Sequence, residues 1–394
     1  MIYLRDPEGL CREGIGVPVH AFELMALMDG SLSHEGLCEA YRERTGLTID
    51  RGQVEELVGS LDEALLLDSD RFRLHREDRI KNFVESETRP AAHAGASYPA
   101  DPVELKALID GFFEDPSGRG RLDGAGGQNG HSRVLSGLIA PHIDFGRGGP
   151  AFAWAYRQLA ESPRADVYVV LGTGHQSRTL YSTSRKTFET PFGPLRADGR
   201  LIDAIVERTF LDLFADEYAH HSEHSIEFQA VFLKYLFPDD DVTFVPILCG
   251  SFHEAVVSDL SPSLLPGVEE MVTALREAIR EDGRDVTVIS GVDFSHVGRK
   301  FGDEEPLDDA FVARVEQADR ELIDAAGSGD PERFFACIRG EGDRNRVCGT
   351  SSIYTMLKVL DGTEGSLLTY DHTIDEERHS MVSFASMVFQ RTGD

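Results

Sequence analysis

The chain has 394 residues, 41% of them hydrophobic, and a formal charge of −30 from 69 acidic against 39 basic side chains. That length accommodates two or three domains, or one large domain with an appendage. The acid excess repels a phosphate backbone and excludes nucleic acid as an expected partner.

No apolar run approaches the ~18 residues of a membrane span, and the opening MIYLRDPEGLCREG holds no apolar signal core. Five cysteines without a CxxC pair do not make a disulfide framework. A cytoplasmic, reducing setting without membrane association is therefore expected. Residues 1–75 read as a small α+β unit. HAFELMALMDG sets Phe22, Met25 and Ala26, with Met28 at the margin, on one helical face ending at Gly30. SHEGLCEAYRERTG does the same with Leu37, Ala40 and Tyr41 and closes at Gly46. Asp50 is placed to cap a third helix carrying Val54, Leu57, Val58 and Leu61. LLLDSDRFRL then predicts a hairpin turning at Asp68-Ser69-Asp70. Three helices and a hairpin describe a winged-helix-like module. With LRDPEGL and the LMDG turn as cues, it resembles the small PqqD-like chaperone domains of PQQ biosynthesis, which implies a protein-contact role.

The charged stretch 76–92 reads as a linker or connecting helix, and 93–391 as the main domain. Asp101-Pro102 suits the start of an amphipathic helix over DPVELKALIDGFF, and the Gly-rich run 115–133 predicts a surface loop. Strand-like and helix-like segments then alternate, from VLSGLIA through DVYVVLGTG, VTFVPILCG and DVTVISGVD to SLLTYDH and SMVSFASMVFQ. Continuous apolar strands between amphipathic helices predict an α/β fold with a mostly parallel mixed sheet flanked by helices. In such sheets ligands bind beyond the carboxyl ends of the strands.

Those ends carry the chemistry. LIA runs into Pro141-His142-Ile143-Asp144, VVLGTG into His175, and VISG into Val292-Asp293-Phe294-Ser295-His296. EHSIE adds Glu223, His224 and Glu227 at a helix start, beside His220 and His221, and VCGTSS puts Cys348 at another, where the helix dipole favours a thiolate. Imidazoles and an anion converging from separate strand ends are what a divalent metal with an open position requires. Gly172-Thr173-Gly174 lacks the GxGxxG or GK[ST] context of a nucleotide loop; its glycines are expected to let the backbone turn tightly beneath His175.

The motifs AHAGASYPAD, GLIAPHIDFGRGGPAFAWAY, VVLGTGH, TPFGPLRAD, EHSIEFQAVFL, FVPILCG, SGVDFSHVG and VCGTSS, in this order, resemble the Memo-like family, whose bacterial members are called AmmeMemoRadiSam system protein B. The resemblance implies a fold similar to the class III extradiol dioxygenases and a metal held by His142, His175 and Cys348. It implies Fe(II) first, with copper or zinc as alternatives, because a thiolate in place of a carboxylate softens the site. Asp293 and His296 would line the same pocket as catalytic groups, His296 at the acid/base position; Asp144, Glu223, His224 and Glu227 would form its substrate wall. The function so implied is a non-haem metal-dependent oxidoreductase, the alternative a non-enzymatic metal-handling or peptide-binding module. AMMECR-like and radical-SAM proteins are the implied partners, with a small-molecule or peptide ligand. The chain departs from the Memo branch at Asp144, at Gln176 where that branch has a second His, and at Ser97 where it has Trp.

Overall fold

The computed structural model describes the chain except residues 5, 7, 8, 12–14, 116, 118–133, 240, 378 and 392–394. The predicted Gly-rich surface loop thus lies almost wholly outside the described residues. Two compact units emerge, Met1–Glu85 and Ser86–Asp394.

In the first unit, β1 (Ile2–Leu4) and β2 (Ile15–Val17) form an antiparallel pair, followed by α1 (Val19–Met25), α2 (His34–Thr45), α3 (Arg51–Glu63) and α4 (Asp70–Glu85). The Ser33 hydroxyl caps α2, and Gly46 ends it at φ 73°, a left-handed position that suits glycine. Asp50 and Gln53 form the capping box of α3. Leu24, Leu37, Tyr41 and Val54 make the core.

Two expectations fail in this unit. Phe22 is 41% exposed while Leu24 is fully buried, with Leu27 and Met28 packed beside it. In a helix of two turns the stripes 22/25/26 and 24/27/28 compete, and periodicity alone does not choose between them. The hairpin is also absent. Asp70 begins α4, and the Ser69 hydroxyl accepts from the Phe72 amide at 3.3 Å. Ser and Asp punctuate helix starts as readily as turns, so the hairpin expected at Asp68-Ser69-Asp70 is a helix start instead, and a winged-helix domain is not shown. The stretch 76–92 is helical to Glu85 and then holds a two-residue strand at Thr88–Arg89.

The second unit opens with β3 (Thr88–Arg89) and α5 (Pro102–Glu114), capped by Asp101. Its next elements are β4 (Gly137–Ala140), α6 (Phe145–Glu161), β5 (Val167–Thr173), β6 (Tyr181–Thr183), β7 (Thr187–Phe188), β8 (Arg196–Ala197) and α7 (Gly199–Val206). Then come α8 (His224–Leu236), β9 (Thr243–Cys249), α9 (His253–Val257), α10 (Val268–Asp282), β10 (Val286–Gly291) and β11 (His296–Gly298). The chain finishes with α11 (Asp309–Gly327), α12 (Pro331–Gly340), α13 (Thr350–Val359), β12 (Thr363–Asp375) and β13 (Ser380–Arg391).

The central sheet is mixed, in the order β11-β13-β4-β10-β5-β9-β6, with β12 on β13 and β8 on β9. Parallel pairing covers β4-β10-β5-β9 and β8, while β13, β12, β11 and β6 pair antiparallel. The predicted mostly parallel character therefore holds only in the middle. The terminal segments SLLTYDH and SMVSFASMVFQ, joined by a short turn, can only return antiparallel.

Side chains alternate between two cores. Ile139, Val167, Val169, Leu171 and Val288 face α7, α10 and α13, while Leu138, Ala140, Tyr168, Val170 and Ile289 face α5, α6 and α8. Across the middle of the sheet, Ala140, Gly291 and Gly172 lie in register, so β4, β10 and β5 deliver their carboxyl ends at one level.

Candidate metal centre

Each of those three strand ends places a polar side chain into one hollow. Beyond β4, His142 is buried, and its Nδ1 lies 3.0 Å from the Gly291 carbonyl of β10. A carbonyl only accepts, so Nδ1 carries the proton and Nε2 presents its lone pair. That Nε2 faces the Cys348 thiol, 3.3 Å from Sγ. Beyond β5, the His175 Nδ1 is 3.1 Å from the Glu223 carboxylate, so its other nitrogen is the one free for a ligand. Cys348 arrives on the turn before α13, whose Gly349 packs against Val292 and the Asp293 carbonyl so closely that a Cβ there would sit 2.8 Å from a neighbouring carbon.

One ligand atom from each of His142, His175 and Cys348 lies within 4.8 Å of the other two. A tetrahedral ion with bonds of ~2.0–2.3 Å sets its donors roughly 3.5 Å apart, so the set fits a metal with little adjustment. His142 is buried, Cys348 half-buried and His175 exposed. A bound ion would thus be open on one side. That side adjoins a cavity of about 260 Å3 lined by His175, Cys348, Cys249, His253, Asp343 and Arg346.

Electrostatics favour neutral donors at depth. Burial holds His142 well below the usual imidazole range, helped by the positive charge on neighbouring histidines. At His175 burial opposes the charge too, but the Glu223 carboxylate and the Cys348 sulfur prevail and raise it. The dipole expectation for Cys348 is not met. Burial lifts the thiol, His175 lowers it, and Asp293 adds to the rise, with a net upward shift. A metal ion would supply the missing positive charge, since thiolate ligation and deprotonation go together.

Asp293 lines the hollow, with its Oδ2 3.7 Å from the His142 Nε2. Its Oδ1 accepts from the backbone amides of His142 and Ile143 at 3.0 and 3.1 Å, and burial pushes it up to about 7. It therefore fixes the turn that carries His142. His296 is oriented by the Phe294 carbonyl, 3.1 Å from its Nδ1, which leaves Nε2 free; burial lowers its pKa to about 4. The segment is anchored behind by buried Asp319, which accepts from the hydroxyls of Ser295 at 2.6 Å and Tyr370 at 2.8 Å.

Glu223 and His224 complete the wall. Glu223 caps α8, accepting from the Ser225 amide at 2.9 Å and the His175 amide at 3.1 Å. The His224 ring stacks on His175 with centroids 4.8 Å apart and stands 5.0 Å from His142. The wall comes this close because β5 and β10 are bare there. A Cβ on Gly172 would meet Ile226 at 2.5 Å, and one on Gly291 would meet the Ser225 carbonyl at 2.5 Å. Of the Gly172-Thr173-Gly174 stretch where a tight turn was predicted, Gly172 serves a close approach between helix and strand.

Two expected wall residues are engaged elsewhere. Asp144 caps α6 and pairs with Arg147. Glu227 is buried against Arg89, the amides of Ala92 and His93, and the Tyr98 hydroxyl. Arg89 also donates to the Glu223 carbonyl at 2.9 Å, so this pair braces the wall from behind. His220 binds Ser182 away from the ligand set. The sequence reading gave no role to His93, whose ring lies 5.7 Å from His224, although AHAGASY was among its motifs. It also passed over His253, which lines the cavity from the start of α9.

The family model described as "Memo-like protein" matches residues 89–388. A MEMO1 family protein of Aquifex aeolicus is 31% identical over 390 residues, covering 98% of this chain and 95% of its own length. One from Methanopyrus kandleri is 29% identical over 310 residues, 77% of this chain and 99% of its own. One from Thermus thermophilus is 27% identical over 364 residues, 92% and 100%. The Aquifex alignment takes in nearly the whole chain, whereas the Methanopyrus relative corresponds to about the length of the second unit. A match over most of the chain, with the ligand motifs meeting in one hollow, places this chain in the Memo-like (MEMO1) family.

Proposed function

We propose that the protein is a non-haem metal-dependent oxidoreductase whose ion is held by His142, His175 and Cys348. The observation that carries this reading is the convergence of those three ligand atoms beside an open cavity. Bound there, Fe(II) would supply redox chemistry and Lewis acidity to a ligand entering from the cavity. The chain's own residues do the rest. Glu223 holds the tautomer of His175, Asp293 fixes the turn bearing His142, and His296 offers a free Nε2 for proton transfer.

Chain purified without a tag and loaded anaerobically should bind one Fe(II), and oxygen uptake with catechols should follow. Failure to retain Fe(II) overturns the reading. The thiol favours a second reading, a copper- or iron-handling protein, because sulfur selects soft ions. Tight Cu(I) binding lost in Cys348→Ala, with no oxygen uptake on any catechol, would decide for it. The AMMECR-like and radical-SAM partners implied by the family resemblance belong to either reading.

A further inference from the structure

The Glu223 carboxylate is 5% exposed, yet its ionic partners among the described residues are imidazoles, His175 and His224. A buried carboxylate normally has a fixed cation or a bound ion beside it. Its Oε1 lies 3.1 Å from the His175 Nδ1 and 3.3 Å from the His224 Nδ1. Donors bound at ~2.0–2.2 Å around one tetrahedral ion stand roughly 3.3–3.6 Å apart, so each nitrogen stands from the oxygen nearly as a ligand would, and the three groups offer atoms within 4.8 Å of one another. The two rings stack with 15° between their planes, presenting the same nitrogen to the same oxygen. Both imidazoles are about one third exposed, at 35% and 33%, so an ion can reach them from solvent.

We infer that His175, Glu223 and His224 form a second metal seat, of two nitrogens and an oxygen, that shares His175 with the thiolate-bearing set. Its donors are harder than the first set and suit Zn(II), Co(II) or Fe(II) rather than Cu(I). Chemistry links the two seats. An ion on the His175 Nδ1 replaces the proton now directed at Glu223, and in the neutral ring that proton moves to Nε2. Nε2 is the nitrogen that the first set uses. Filling one seat therefore disfavours the other.

The test uses the full chain with Cys348→Ala, which dismantles the first set, and cobalt(II) as probe. Expected is binding of one Co(II) with a visible spectrum free of sulfur-to-cobalt charge transfer. Adding His224→Ala, or the gentler His224→Gln, should weaken it at least tenfold, whereas adding His142→Ala should change it less than threefold. Thermal unfolding of each variant reports whether the fold is intact. No Co(II) uptake by Cys348→Ala, or equal sensitivity to His142 and His224, overturns the second seat. The first seat is read separately, by the charge-transfer band of the unmutated chain.

Discussion

Replacing Glu223 by Gln tests how far a carboxylate behind a ligand controls the ligand. The amide keeps the shape, and its single oxygen can keep the Ser225 bond that caps α8, while its NH2 then faces the His175 amide, which had bonded the other carboxylate oxygen. What disappears is the charge 3.1 Å from the His175 Nδ1. Two unit charges about 4 Å apart interact by ~4 kcal/mol at an effective dielectric near 20, which is an upper bound on the loss. Outer carboxylates of this kind are worth about 10–100-fold in metal affinity, or ~1.4–2.7 kcal/mol. Glu223→Gln should therefore weaken Fe(II) or Co(II) binding at the thiolate set by one to two orders of magnitude, measured by competition with a chromogenic chelator at pH 7. Stability should fall by ~1–3 kcal/mol, because the His175 amide loses its acceptor although the cap remains. Glu223→Ala should add the loss of the cap, ~0.5–2 kcal/mol. Affinity within twofold of the unmutated chain in Glu223→Gln would refute the idea that this carboxylate tunes His175.

Further outcomes follow from the same geometry. Arg89→Leu strands the buried Glu227 carboxylate and should cost about 3–5 kcal/mol in urea unfolding of the second unit, while Arg147→Leu, at an exposed pair, should cost less than ~1 kcal/mol. His296→Ala should leave Co(II) affinity within about threefold, since His296 is not in the ligand set, yet slow substrate-dependent oxygen uptake ~10²-fold or more if it is the proton-transfer group; unchanged uptake removes it from that role. Asp198 and Asp282 are both held below the usual carboxylate range; burial opposes ionisation at Asp198, but its bonds to Arg284 and Thr243 outweigh it, and at Asp282 the bond to Arg284 leads. A depressed carboxylate adds stability above its unfolded pKa of ~4 and loses it as pH falls through the folded value. The melting temperature should thus fall from pH 5 toward pH 2, and Arg284→Met should lower it most above pH 5 and flatten the acid slope.

The strand ends were legible because the sequence writes them plainly: an apolar run buried on both faces, then Pro-His or Gly-His. His142, His175 and Asp293 follow from that pattern, and α13 after VCGTSS places Cys348. What His142, Asp293 and Glu223 do for one another was not legible, since it depends on a carbonyl of a neighbouring strand and on backbone amides, which no side-chain pattern records. Asp293 and His296, three residues apart in one turn, take different partners: the His142 and Ile143 amides for the first, the Phe294 carbonyl for the second. Glu227 sits one helical turn from Glu223 and looked equivalent, but burial against Arg89 separates their roles. At the N-terminus the short α1 and the Asp-Ser-Asp punctuation admitted two local structures each, and packing decided.

The paired glycines at 172 and 291 set the metal hollow's width by what they lack. A methyl group at 291 would face the Ser225 carbonyl at 2.5 Å, and main chain cannot swing aside like the tip of a lysine. The whole end of α8 would have to retreat by roughly an ångström, carrying a carboxylate and an imidazole with it while leaving the thiol and the other two rings in place. Two hydrogen atoms thus act as the spacer of the hollow, and lengthening that spacer by one carbon would detune an ion held there without altering any of the candidate ligand atoms.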